Sequence, residues 1–180
     1  SQIANNEPIM ESNADNAVFS YLNTFPNEFP LIPLKTGDFD AVAISETLVS
    51  LMESYKDPRL FRYARPDNED FDNYYPDSSV MGADNGRNTE TCSKIGSRLG
   101  VQYYNYPDLT LASDLGIDMA DGVIMTYAEV QFLLAEAGAK GWMVGDEESF
   151  YRSGIQASME YHQVNLDPFG WDTFDDFYEN

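Results

Sequence analysis

The spacing of apolar and polar positions predicts three helices, and the clearest of them covers 126–140. Thr126 precedes its first apolar turn and Glu129 follows three residues later, the spacing of a capping box. Apolar side chains then occupy almost every side of the helix, so we expect a core helix that neighbours cover nearly all round. One face carries Tyr127, Val130, Leu133, Leu134 and Ala137, and the other carries Phe132 and Ala135.

A second helix is predicted over 146–161, where Asp146 stands at the N-cap position. Gly154 and Ser158 are small enough to let two helices approach closely, and a short connection makes consecutive helices antiparallel neighbours. The pattern therefore predicts an αα-hairpin. Its second helix is expected to pack through Phe150, Tyr151, Gly154, Ile155, Ser158 and Met159.

The third predicted helix covers 45–56. Ser45 can cap it, and Asp57-Pro58 ends it because the residue before a proline avoids helical geometry. We expect its buried face to consist of Leu48, Leu51, Met52 and Tyr55.

Residues 1–44 and 66–120 are predicted to be mainly loop. Prolines interrupt the first stretch, and the second has few helix signals. Asn85-Gly86 indicates a tight turn with a small β-hairpin around it. The predicted fold class is therefore mostly α, with long ordered loops and at most a small β-hairpin.

The charge balance restricts the partners. The chain has 31 acidic and 10 basic residues, a net charge of -21, so its field repels nucleic acid and anionic lipid, and we expect no nucleic-acid partner. Cys92 is the single cysteine, which excludes an internal disulfide and a multi-cysteine metal site. His162 is the single histidine and lies far along the chain, so we interpret it as a helix C-terminal residue rather than a base for Cys92.

The long segment after Pro66 holds the groups best suited to a ligand. Tyrosine rings offer flat apolar faces to sugar rings, and amide and guanidinium groups can bond the hydroxyls. The alternative is that these aromatic side chains anchor the loops to the scaffold, as buried tyrosines commonly do. The candidates are Tyr74, Tyr75, Asn85, Arg87, Tyr103, Tyr104 and Tyr106.

Three arginines near the end of the third helix also allow two interpretations. Arg59, Arg62 and Arg65 could form a ligand clamp. In so acidic a chain, ion pairs that hold the loops to their neighbours are the favoured interpretation.

Catalysis and metal binding are not indicated by the carboxylates. A glycoside hydrolase would need two placed carboxyl groups, one of them in an apolar setting that raises its pKa. The acidic stretches 67–72 and 172–179 read instead as solvated runs, and neither follows the order of an EF-hand calcium loop. We therefore predict no catalytic residue, no metal site and no cofactor.

Several short motifs follow one another along the chain. They are Ser45-Glu46-Thr47-Leu48-Val49, Asp57-Pro58-Arg59-Leu60, Ser93-x-Ile95-Gly96, the helix Met125 to Ala137, Lys140-Gly141-Trp142, and Tyr151-x-x-Gly154-Ile155-x-Ala157-Ser158-Met159. Taken in this order, they resemble the SusD/RagB family of outer-membrane nutrient-binding lipoproteins. The resemblance implies a SusD-like helical scaffold of TPR-like αα-hairpins.

That resemblance also makes a glycan the favoured ligand, because the family gathers loop aromatics into a binding platform. It implies a non-catalytic receptor at the cell surface, lipid-anchored to the outer membrane, that passes an oligosaccharide or polysaccharide to a SusC-like TonB-dependent transporter. A peptide ligand, known in some members, stays the alternative within the family, and a carboxylate-dependent glycoside hydrolase the alternative outside it.

The length of the chain departs from this pattern, since members are usually a few times longer and begin at a lipidated cysteine. Ser1 opens a polar stretch without a signal-peptide pattern. We therefore expect 1–180 to be a single partial SusD-like domain from the C-terminal half of such a protein.

Overall fold

Helices dominate the structure, a computed structural model, and the prediction of a mostly α fold is confirmed. The described residues are 8–21, 43–64, 80–86, 88, 97, 121–166 and 169–180. Among them five α-helices and one two-stranded sheet are present. In chain order the elements are a 3-10 helix Asn13–Asp15, β1 Ala17–Ser20, α1 Glu46–Ser54, α2 Leu60–Tyr63, β2 Asp121–Met125, α3 Tyr127–Ala139, α4 Glu147–Tyr161 and α5 Phe174–Tyr178.

The chain divides into two compact units. The first comprises Ser1–Phe19 with Gly122–Gln163, and the second comprises Ser20–Asp121 with Val164–Asn180. Among the described helices, none is long and apolar enough to cross a membrane. That 1–180 forms one partial domain stays a prediction.

An αα-hairpin, built from α3 and α4, forms most of the first unit. The Thr126 side chain accepts a hydrogen bond from the backbone N–H of Glu129 (3.1 Å), and Asp146 caps α4 by accepting from the N–H of Ser149 (3.1 Å), so both predicted caps are confirmed. Gly141 ends α3 with a φ of +68°. The N–H of Trp142 donates back to the carbonyl of Ala137 (2.9 Å), which completes a Schellman turn.

Two alanines and a glutamine form the buried side of α3, where larger apolar residues were expected. Ala128, Gln131 and Ala135 are buried, whereas Leu133 is 51% exposed. The prediction of a helix covered nearly all round is therefore wrong for the described residues. Ala135 lies beside α4, where the close approach of the two helices favours a small side chain.

The packing side of α4 was predicted in part. Gly154 and Met159 are buried as expected, and Ala157 joins them, but Tyr151 is 51% exposed. The side chain of Asn13 in the 3-10 helix donates to the carbonyl of Ala157 (2.9 Å), which fixes the N-terminal stretch to this helix.

The core of the second unit contains α1 and α2. Its buried residues are Ile44, Val49, Met52, Leu60, Ala64 and Val80. The predicted apolar face of α1 was wrong apart from Met52, because Leu48, Leu51 and Tyr55 are 40%, 54% and 64% exposed. The helix is oriented so that Val49 and Met52 face the core instead. The exposed Leu48, Leu51 and Tyr55 form a second apolar stripe on the solvent side.

Two features of the tail and the strands were not predicted. The acidic tail forms α5, where Thr173 accepts from the N–H of Asp176 (3.2 Å) and the Asp176 carboxylate accepts from the N–H of Thr173 (2.9 Å). Part of this run therefore caps a helix rather than only facing solvent. The strands β1 and β2 pair with each other although about a hundred residues separate them, so the observed sheet is not a hairpin.

Candidate functional site

One predicted ligand-binding residue, Asn85, falls within the part of the chain that the structure describes. Tyr74, Tyr75, Arg87, Tyr103, Tyr104 and Tyr106 lie outside the described residues, as does Cys92. The described residues do show the framework at which the segments carrying these side chains begin.

That framework is a set of backbone hydrogen bonds joining three stretches of chain. The N–H of Ala83 donates to the carbonyl of Ile44 (2.8 Å), and the N–H of Glu46 donates to the carbonyl of Ala83 (2.9 Å), which makes a short parallel bridge at Ser45. Ser97 extends it, because its N–H donates to the carbonyl of Met81 (2.6 Å) and its own carbonyl accepts from Ile44 (2.9 Å).

The Ser97 side chain also serves this framework. Its Oγ accepts from the N–H of Met81 (3.0 Å), and the residue is only 4% exposed. A buried hydroxyl needs a partner, and here it satisfies a backbone donor that would otherwise be unpaired.

Gly82 explains how the framework can lie so close to α1. A Cβ at this position would be 2.2 Å from the Cα of Glu46, a distance that no side chain can occupy. Glycine is therefore required for the stretch around residue 82 to pass the N-terminus of the helix. The sequence does show Gly82 as an isolated glycine near the Asn85-Gly86 turn. It does not show which part of the backbone this glycine approaches.

Two of the segments that carry the candidate residues have both ends near this framework, and the third begins there and ends at β2. Segment 65–79 runs between Ala64 and Val80, which belong to one buried cluster. Segment 87–96 runs between the Gly86 turn and Ser97, and Ser97 also begins 98–120. The fold thus starts all three segments from one place in the second unit, the arrangement that a composite loop site requires.

Asn85 itself is bonded to the N-terminus of α1. Its Oδ1 accepts from the hydroxyl of Ser45 (3.0 Å), and its Nδ2 donates to Oγ1 of Thr47 (3.1 Å). Both bonds are exposed, and the side-chain amide keeps one further N–H and a lone pair for other partners. Gly86 follows with a φ of +83° and open space around it, which confirms the predicted turn.

In the arginine cluster, Arg59 forms an ion pair as predicted, but its partner Asp57 lies two residues away, so this pair fixes a local turn rather than joining a loop to a neighbour. The Arg59 guanidinium bonds both carboxylate oxygens of Asp57, at 2.5 Å from the terminal nitrogen and 2.9 Å from Nε. The Asp57 carboxylate also accepts from the backbone N–H of Arg59 (3.0 Å) and is nearly buried. Arg62 is 8% exposed, and Arg65 lies outside the described residues.

Among the residues that the structure describes, no three His, Cys, Asp or Glu side chains lie close enough together to hold an ion. His162 is the C-cap residue of α4, and its backbone N–H donates to the carbonyl of Ser158 (3.1 Å), in line with its predicted place at a helix end. The stretch 67–72 lies outside the described residues.

A groove between α3 and α4 was not predicted. It has a volume of about 440 Å³ and is called the α3/α4 groove below. Its lining consists of Phe132, Ala135, Glu136 and Ala139 from α3 and Glu147, Glu148 and Tyr151 from α4. The spacing of three and four along each helix was visible in the sequence, but only the close approach of the helices shows that these residues line one depression.

Comparison with known proteins identifies the relatives of this chain. A SusD-like family model, described as starch-binding and associating with the outer membrane, matches residues 1–177. None of the curated proteins is significantly similar in sequence.

Among solved structures, a SusD homolog from Bacteroides fragilis is 26% identical with a TM-score of 0.73, and the match covers 99% of this chain and 39% of that one. A second SusD homolog from Bacteroides fragilis is 27% identical with a TM-score of 0.66, covering 93% of this chain and 38% of the other. A protein described as chitin-binding is 22% identical with a TM-score of 0.64, covering 99% and 38%, a similarity that shows the fold alone. The chain thus spans less than two fifths of the length of these relatives.

Proposed function

This chain belongs to the SusD-like family described as starch-binding and associating with the outer membrane, and from that membership we propose that it is part of a glycan-binding receptor at the cell surface. The receptor captures an oligosaccharide and passes it to a SusC-like, TonB-dependent outer-membrane transporter. It is held in the outer membrane by a lipid anchor. The observation that carries the proposal is the family match over nearly the whole chain.

The framework supports a ligand site built from the loops. The proposed glycan contacts lie on or beside segments 65–79, 87–96 and 98–120. The first segment runs between Ala64 and Val80, the second ends at Ser97, and the third begins at Ser97 and ends at β2. We propose that the ligand rests on their tyrosines, Tyr74, Tyr75, Tyr103, Tyr104 and Tyr106, while Asn85 and Arg87 bond its hydroxyls.

Asn85 fits a place at the edge of such a site. It is exposed, it stands on an open turn, and its bonds to Ser45 and Thr47 hold the amide in one orientation. A polar group fixed in advance loses less conformational entropy on binding than a free one. Stacking on exposed rings leaves much of a sugar solvated, so the affinity we expect is modest.

The test uses the full-length protein with a panel of malto-oligosaccharides, chito-oligosaccharides and peptides. Titration calorimetry measures binding, and chromatography of the same mixtures after prolonged incubation detects shortened products. We expect saturable binding of at least one glycan class and an unchanged glycan. Binding of peptides alone would favour the peptide-receptor alternative, and release of shorter sugars would favour the glycoside hydrolase. Co-purification of a TonB-dependent transporter tests the coupling separately.

A further inference from the structure

The turn at Asn85-Gly86 places a side-chain amide next to an unhindered backbone nitrogen. Gly86 has no Cβ, and the position that one would occupy is open. Within the described residues, the N–H of Gly86 makes no hydrogen bond. Rotation about the Cα–C bond of Asn85 brings this nitrogen toward the side-chain carbon Cγ, and a glycine lets the chain that follows accommodate the rotation.

The start of α1 polarises the Asn85 amide. The hydroxyl of Ser45 donates to Oδ1 of Asn85 (3.0 Å), and the same hydroxyl oxygen accepts from the N–H of Thr47 (3.2 Å). A hydroxyl that accepts one hydrogen bond is a stronger donor in the next. Oδ1 is thereby linked to the N-terminus of a helix of nine residues, where negative charge is stabilised. Charge that develops on this oxygen during a reaction meets a donor already in place.

A second hydroxyl holds the nitrogen of the same amide. Nδ2 of Asn85 donates to Oγ1 of Thr47 (3.1 Å). A threonine hydroxyl accepts such a bond and, after rotation, can donate its own proton to a departing nitrogen. The amide is therefore flanked by a donor for its oxygen and a proton source for its nitrogen.

We propose that Asn85 is a site of spontaneous deamidation promoted by the start of α1. The backbone nitrogen of Gly86 attacks Cγ of Asn85 and loses its proton, while Oδ1 carries the negative charge of the tetrahedral intermediate. The bond between Cγ and Nδ2 then breaks, and Nδ2 takes up a proton and leaves as ammonia, which closes a cyclic succinimide. One water molecule opens this ring at either carbonyl and gives an aspartate or an isoaspartate. The reaction needs no partner protein and no reagent except water.

The modification changes both hydrogen bonds that hold the turn to α1. A carboxylate has no N–H to donate to Thr47, so its oxygens can only accept from the hydroxyls of Ser45 and Thr47. An isoaspartate also lengthens the backbone by one carbon, which displaces Gly86 and the residues after it. If Asn85 contacts the glycan, the modified protein lacks a donor there. That consequence rests on the proposed function, whereas the modification itself does not.

The test follows the full-length protein at neutral pH and physiological temperature over days to weeks. Mass spectrometry of proteolytic fragments detects the mass difference between an amide and a carboxyl group, and a methyltransferase specific for isoaspartate detects that product. We expect Asn85 to be modified at least about tenfold faster than Asn16, because each factor of ten in rate requires only a small difference in activation free energy. Asn16 is a control within the same sample. Its Oδ1 accepts from the N–H of Tyr127 (2.6 Å) at the start of α3, but Ala17 follows it in place of a glycine.

Variants separate the contributions of the glycine and of the helix. Gly86→Ala should slow the reaction about tenfold, because the added Cβ hinders the attacking nitrogen. Ser45→Ala should slow it about three- to tenfold, the effect of one lost hydrogen bond to the developing charge, whereas Ser45→Thr keeps the hydroxyl and should leave the rate unchanged. A synthetic peptide of sequence 81–88 lacks α1, and we expect it to react more slowly than the folded protein. Thermal melts check that each variant is folded.

Three outcomes overturn the proposal. They are an Asn85 that stays unmodified, a rate no faster than that of Asn16, and equal or faster modification in the peptide or in Ser45→Ala than in the folded protein. The last would show that the bonds to α1 protect the amide rather than promote its loss. Glycan binding is not measured in these experiments, so a failure of the proposed function leaves their outcome unaffected.

Discussion

The ring of Phe132 on α3 lies against the backbone of Gly154 on α4. A Cβ added at Gly154 would be 2.8 Å from Cε1 of Phe132 and 2.9 Å from its Cδ1. The absence of a side chain at one residue therefore determines how closely the two helices of the hairpin approach, and it holds the ring that forms one side of the α3/α4 groove.

Replacing Gly154 by leucine is expected to lower the free energy of unfolding by about 1 to 3 kcal/mol, because the added side chain must displace the Phe132 ring. Chemical denaturation of the variant measures the loss. Gln156→Leu is the matched control, since Gln156 is exposed on the same helix and should change stability little. An unchanged midpoint for Gly154→Leu would mean that the hairpin can separate without cost.

Gly82 and Gly86 are expected to differ although they lie four residues apart. Gly82→Ala should destabilise by about 3 kcal/mol or more, because its Cβ would overlap the backbone of Glu46 and the helix cannot move aside cheaply. Gly86→Ala places its Cβ in open space. It should therefore lower the free energy of unfolding only by the strain of the left-handed conformation at φ +83°, about 1 to 2 kcal/mol. Thermal melts of the two variants give the order, and the reverse order would contradict the close approach at Gly82.

The nearly buried Asp57–Arg59 pair should contribute more to stability than the exposed Glu136–Lys140 pair. Asp57→Ala removes the acceptor for the Arg59 guanidinium and for its backbone N–H, so we expect a loss of about 2 to 4 kcal/mol. Glu136→Ala removes a pair whose side chains are about half exposed, and its cost should stay below about 1 kcal/mol. Similar losses for both variants, measured by urea unfolding, would count against this ranking.

Asn85→Ala should lower stability slightly, because its amide bonds both Ser45 and Thr47 at the start of α1. Exposed hydrogen bonds of this kind contribute about 1 kcal/mol each at most. The variant should also weaken glycan binding if the amide contacts the ligand as proposed. Calorimetry and melts on the same sample separate the two effects, and an unchanged affinity would limit Asn85 to a structural role.

Local signals predicted the helices well because their ends depend on nearby residues. Thr126, Ser45 and Asp146 each accept a hydrogen bond from an N–H two or three residues ahead, so the sequence around each cap contains all that the cap requires. Thr173 caps α5 in the same way and could have been found by the same rule.

The buried faces were harder to predict because they depend on partners distant in sequence. In α1 two apolar stripes were available, and the core selected Val49 over Leu48 and Leu51 through contacts that the helix sequence does not contain. The β1–β2 pairing is likewise long-range. Asn85 lies beside Ser45 because the backbone at Gly82 runs close to the start of α1. No rule based on spacing along the sequence predicts this contact.

The proposed ligand platform gives the last prediction, which concerns Tyr74, Tyr75, Tyr104 and Tyr106. If these rings form the platform, replacing each one by alanine in the full-length protein should weaken glycan binding and leave the melting temperature nearly unchanged, because an exposed ring contacts the ligand and contributes little to the core. If a ring instead anchors its loop, the melting temperature should fall while the affinity stays the same. Tyr55→Ala serves as the control, since Tyr55 is 64% exposed at the C-terminal end of α1 and has no place in the proposed site. We expect at least one of the four to behave as an anchor, and lost stability with unchanged affinity in all four would reject the platform.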